Sequence, residues 1–143
     1  CACRAIVISN NGRPLLDKFV LTQVRHMKKE QFIDAIKIAV GQATENDIKS
    51  TLEKPIGRNP DQRQVELSNW YNNLSITDKD NLHEVIKQTV DMCLFGTLCV
   101  IDGVRAIENS SDKGELILEY RKDSNTTTLN DQKGMYLHDI YKS

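Results

Sequence analysis

The sequence predicts an α+β fold: about four helices packed around a long apolar helix, followed by a C-terminal β-hairpin and a short terminal helix. Three observations carry this. Between Phe32 and Ile101 the apolar residues recur at helical spacing. From Gly114 the apolar period drops to two. The chain has 143 residues, 39% hydrophobic and 27% charged, enough for one core and too apolar for a disordered chain.

Residues 1–26 read as strand, turn, strand, with Ala5–Ile8 β-prone and Asn10-Asn11-Gly12 a turn signal. At Met27-Lys28-Lys29-Glu30 the texture becomes helical. The reading divides the chain there, into an N-terminal extension, 1–26, not native to the domain, and a single α+β domain, 27–143. The alternative makes the extension a hairpin that adds to the sheet. The first helix spans about Lys29–Val40, with Phe32, Ile33, Ile36 and Val40 on one stripe and Gly41 closing it. Thr44 caps a second that stops at Lys54, before Pro55. Asn59 is the expected cap of the third, with Pro60 in its first position and Trp70 anchoring the core. Thr77 caps the fourth and longest, which runs through Leu82, Val85, Ile86, Val90 and Leu94 to Ile101. The hairpin follows: a strand from Gly114, a turn at Lys122–Asn125, and Thr126–Leu129 returning. Asn130 or Asp131 is the expected cap of the last helix, which packs through Met135, Leu137, Ile140 and Tyr141.

The formal net charge is −1, and because residues 1–26 carry four basic groups against one acidic, residues 27–143 stand at −4. An acidic body argues against a phosphate-binding surface. No apolar run is long enough for a membrane span. Cys93 and Cys99 lie six apart on one helix, a rise of about 9 Å, too far for a disulfide. They read as small core residues, and reduced thiols fit a cytoplasmic protein. Cys1 and Cys3 lack the second ligand pair of a metal site. No cofactor or metal motif is expected.

The C-terminal cluster Tyr136–Tyr141 holds the most chemistry. His138 beside Asp139 suggests an acid–base pair, with Glu119 as a third group. Adjacent helical residues point about 100° apart, however, which favours a surface pair. His83-Glu84 lacks the second histidine of a zinc motif. Asp102, Arg105 and Glu108, at three-residue spacing, read as an ion-pair ladder or a charged partner surface.

Two resemblances add to this. Arg4–Phe19, with Ala5-Ile6-Val7-Ile8-Ser9-Asn10-Asn11-Gly12-Arg13-Pro14 at its centre, resembles the first hairpin of the small sigma subunits of clathrin-adaptor complexes. The strands that follow in that family have no counterpart, so no adaptor function is carried over. Phe95–Arg105, the hairpin Gly114–Leu129 and the ending Tyr136-Leu137-His138-Asp139 resemble an uncharacterised family of short bacterial α+β proteins. In size and acidity the chain is similar to immunity proteins of bacterial toxin systems. That likeness implies a non-catalytic protein-binding domain, an immunity or regulatory partner of a basic protein. Its contact residues would be Tyr120, Tyr136 and Tyr141 with Asp102 and Arg105, since tyrosine gives large contact area at low entropic cost. The alternative is a small hydrolase-type enzyme built on His138, Asp139 and Glu119; a nucleic-acid-associated regulator is third. An open hairpin edge would also allow pairing with a second copy.

Overall fold

The computed structural model describes residues 27–143. The expectations placed on residues 1–26, the division at Met27 included, lie outside the described residues. The fold is α+β. In order come α1 (Lys29–Ile36), a π-helical stretch (Lys37–Gln42), α2 (Ala43–Glu53), α3 (Gln62–Asn72), α4 (Ile76–Ile101), β1 (Glu119–Lys122), β2 (Asn125–Thr128) and α5 (Leu137–Lys142).

Gly41 does not close the first helix. The chain runs from Lys29 to Glu53 without a break, because the wider turn at Lys37–Gln42 carries the backbone through. Gly41 is buried there, and a Cβ on it would lie 3.4 Å from the Leu94 side chain of α4. Its lack of a side chain serves helix contact rather than termination. The stop before Pro55 holds: Lys54 is extended, as a residue preceding proline must be.

Thr44 caps nothing, because it lies inside that continuous helix, and three other expected caps move. Asp61, not Asn59, caps α3, its carboxylate accepting from the Arg63 backbone N–H at 2.9 Å. Ser75, not Thr77, caps α4 through the Asp78 N–H at 3.1 Å. At each site the residue in reach of the free N–H groups wins over its neighbour. Tyr136 precedes α5, and Asn130 and Asp131 work elsewhere. The Asn130 amide donates to the Ile101 and Leu116 carbonyls, both at 2.7 Å, and accepts from the Leu118 N–H at 2.7 Å. That clamp occupies the segment where the first strand was expected, so pairing begins only at Glu119 and Leu116 and Ile117 stay exposed. The antiparallel hairpin pairs Glu119 with Thr128 and Lys122 with Asn125, and its turn sets Asp123 at φ 55°.

Ile33, Leu98, Leu137, Ile140 and Tyr141 form the buried cluster, with Phe32, Leu94, Phe95, Ile101 and Leu118 packed against it. α5 thus contributes three of the five residues. Met135 is exposed and outside this packing. Cys99 is buried as expected, whereas Cys93 faces solvent.

The larger departure is in α3. Trp70 is 50% exposed and Leu67 37%, while Ser68 and Tyr71 are buried. The reason lies in the open carbonyl end of α2. Ser68 Oγ and the Asn72 amide both donate to the Glu53 carbonyl, at 3.3 and 3.1 Å. Satisfying that helix end seats Ser68, with Tyr71, on the inner side of α3 and leaves Leu67 and Trp70 outside. Among the described residues, no helix is long and apolar enough to cross a membrane.

Candidate functional site

Two places combine polar groups with burial. The first joins the C-terminal end of α4 to the start of α5. Asp102 follows the last residue of α4, and its side chain is fully buried. One carboxylate oxygen accepts from the His138 backbone N–H at 2.9 Å and from His138 Nδ1 at 2.7 Å. An ionised carboxylate only accepts, so the ring proton sits on Nδ1. The other oxygen, Oδ1, is buried with no hydrogen-bond partner among the described residues. Tyr136 stacks on the imidazole, centroids 5.6 Å apart, and Phe95 meets it edge-on at 6.0 Å. Nε2 is directed toward Asp139, 3.5 Å from its carboxylate.

α4 holds α5 at a second point. Asp91 lies eleven residues before Asp102, three helical turns and the same face, about 16 Å away. Lys142 donates to Asp91 at 2.6 Å, and the Tyr141 hydroxyl also bonds to it. With His138 at Asp102 and Lys142 at Asp91, α5 runs antiparallel along α4. These bonds hold the Asp91 carboxyl below its ordinary range against the opposing effect of burial. Burial, reinforced by Asp91 and Glu45, pushes the Tyr141 phenol up to about 12. A further tie fixes the loop before α5: the Lys29 ammonium donates to the carbonyls of Asp131, Lys133 and Met135 and pairs with the Asp131 carboxylate at 2.7 Å. The bond to Lys29 lowers the Asp131 carboxyl.

The second place is a cleft of about 650 Å³ between the π-helical stretch and α4. Lys37, Glu45, Glu84, Lys87, Asp91 and Tyr141 line it, with Gly41 and Val90. The Lys37 ammonium lies 5.0 Å above the Tyr141 ring.

The residues singled out in the sequence are distributed as follows. His138 and Asp139 do face each other at Nε2, but the close partner of His138 is Asp102, thirty-six residues away. Glu119 pairs with Arg121 on the hairpin, and no hydrogen bond or ion pair joins it to His138. No ion pair links Asp102, Arg105 and Glu108 either. Arg105 turns back so that its guanidinium covers Gly96, and Glu108 accepts from the Gly114 N–H at 3.1 Å. Of the three tyrosines, Tyr120 and Tyr136 are half-buried and Tyr141 is buried. His83, which lacks the second histidine of a zinc motif, is hydrogen-bonded to the buried Tyr71 at 2.9 Å. The Asp102–His138 pair and the cleft were missed. The available signal was Asp102 itself, a carboxylate ending an otherwise apolar run. No family model, curated protein or solved structure matches the chain.

Proposed function

We propose that the chain is a non-catalytic protein-binding domain, an immunity-type or regulatory partner of a basic protein, and that it binds through the outer face of α3. One observation carries the reading: α3 leaves Leu67 and the molecule's single tryptophan, Trp70, outside while burying a serine. Residues three apart on a helix are neighbours, so the two side chains form one apolar face. A half-exposed tryptophan is the residue type most enriched where protein interfaces concentrate their binding energy. The −4 charge of residues 27–143 selects a basic partner by long-range attraction. In this reading α4 is the scaffold around which the other helices are packed, and the interface leaves it undisturbed.

The test is affinity capture by the full chain from its native host, followed by calorimetry with the captured protein. A single basic partner should bind, and Trp70→Ala should weaken it at least about tenfold while leaving the thermal midpoint of the free chain unchanged. Binding that ignores Trp70→Ala and Leu67→Ala alike sinks the reading. So does a chain whose α3 face proves to be covered by a second copy of itself.

A second reading, a small hydrolase-type enzyme, is favoured by the buried Asp102 at 2.7 Å from His138 Nδ1. That arrangement leaves Nε2 as a base. It requires turnover of a simple ester that His138→Ala abolishes.

A further inference from the structure

The cleft beside the π-helical stretch differs in kind from the α3 face. It is concave, of a size that small-molecule sites commonly have, and its lining carries both signs of charge. Asp91 is already neutralised by Lys142 at 2.6 Å. The four other charged lining residues, Lys37, Glu45, Glu84 and Lys87, have no ion-pair partner among the described residues, although oppositely charged side chains line the same cleft. Glu84 spends one oxygen on the Gln88 amide at 3.0 Å, and Lys37 rests over the Tyr141 ring.

Two ammonium and two carboxylate groups around one cleft match a ligand with one charge of each sign. A cation alone would leave the lysines unanswered, and an anion alone would face the two glutamates. We propose that the cleft binds a free α-amino acid. The ligand carboxylate accepts from Lys37 and Lys87, and its ammonium donates to Glu45 and Glu84. Charge-assisted hydrogen bonds of this kind are stronger than neutral ones, and two of each orient a small ligand. Val90 and the Tyr141 ring supply the non-ionic wall for its side chain.

The π-helical stretch is part of the site. It contributes Lys37, Gly41 and Gln42 to the lining. Gly41 lets that stretch approach Leu94 of α4.

The experiment is a thermal-shift screen of the full chain against the twenty free L-amino acids at about 10 mM, where a ligand that binds only the folded state raises the midpoint. Any hit is then taken to calorimetry beside its N-acetyl and carboxamide derivatives. At least one amino acid should raise the midpoint, and both derivatives should bind at least about tenfold more weakly. Glu45→Gln and Lys87→Met should each cost a similar factor while leaving the midpoint of the free chain unchanged. Lys87 and Glu84 are exposed, so Lys87→Met remains informative should a change at Glu45 disturb the fold. No shift with any amino acid overturns the proposal, as does equal binding of an N-acetyl derivative. Leu67 and Trp70 line no part of this cleft, so failure here and failure of the partner reading are separate results.

Discussion

Asp102 shows how one carboxylate can fix the end of a fold. Its side chain is fully buried, and both of its hydrogen bonds come from His138, one from the backbone and one from the ring. Removing it leaves two donors without their acceptor inside the packing of α4 against α5. Hydrogen bonds to a charged group each contribute about 1.5–3 kcal/mol, and an orphaned buried donor carries a similar penalty. Asp102→Ala should therefore lower the unfolding free energy by about 3 kcal/mol in urea titrations, and Asp102→Asn, which keeps an accepting oxygen, by less. A loss below about 0.5 kcal/mol for Asp102→Ala would show that α5 docks by apolar burial alone. The position of Asp102 at the end of an apolar run was legible, but its partner was not. His138 is followed by Asp139 in the chain, and a sequence reading pairs neighbours; the partner that matters lies thirty-six residues back.

At the scale of elements, periodicity revealed most of what was needed. The helices up to Ile101, the stop at Pro55, the turn at Lys122–Asn125 and the terminal helix packing through Leu137 and Ile140 all appear in the structure, although Val40 and Val85 of the expected apolar stripes are exposed. Periodicity failed where one element answers the hydrogen-bonding needs of another. Ser68 turns inward where the end of α2 exposes the Glu53 carbonyl, Asn72 reaches the same carbonyl from the exposed rim, and Trp70 is left outside. Asn130 clamps three backbone groups and shortens the first strand. Gly96 tests the same logic in α4. A glycine inside a helix costs about 1 kcal/mol against alanine, yet a Cβ there would lie 2.8 Å from Arg105 Nη1. The obstacle is the free end of a flexible side chain, which can swing aside. Gly96→Ala is expected to stabilise the chain, by no more than about 1 kcal/mol. If it destabilises instead, Arg105 is held in place over the helix, and adding Arg105→Ala should restore the gain.

For the whole molecule, the groups with displaced titrations sit at the contacts that fasten α5 and α3 to the rest, which sets the pH range of the fold. Asp91 and Asp131 are lowered from 3.8, chiefly by their bonds to Lys142 and Lys29. A lowered carboxyl stabilises the folded state fully above 3.8, and that contribution fades as pH falls through the lower folded value. Tyr141 is raised from 10.0 to about 12 and Tyr71 is raised as well, both mainly by burial. A raised phenol favours the folded state fully below 10, and its contribution is lost as pH climbs through the folded value, about 12 for Tyr141. These four groups contribute no slope between roughly 5 and 9. Thermal midpoints measured across pH should then fall away on an acid limb beginning below about 4 and on an alkaline limb opening above 10. The alkaline limb is the decisive one, because Tyr141→Phe keeps the buried ring and removes the ionisation. It should move that limb to higher pH, and tyrosinate absorbance should lose its latest-titrating phenol. An alkaline limb indifferent to Tyr141→Phe would place the weak point away from α5. The acid limb has its own control in Lys142→Met, which takes away the main bond lowering Asp91 and should flatten the loss between pH 4 and pH 2.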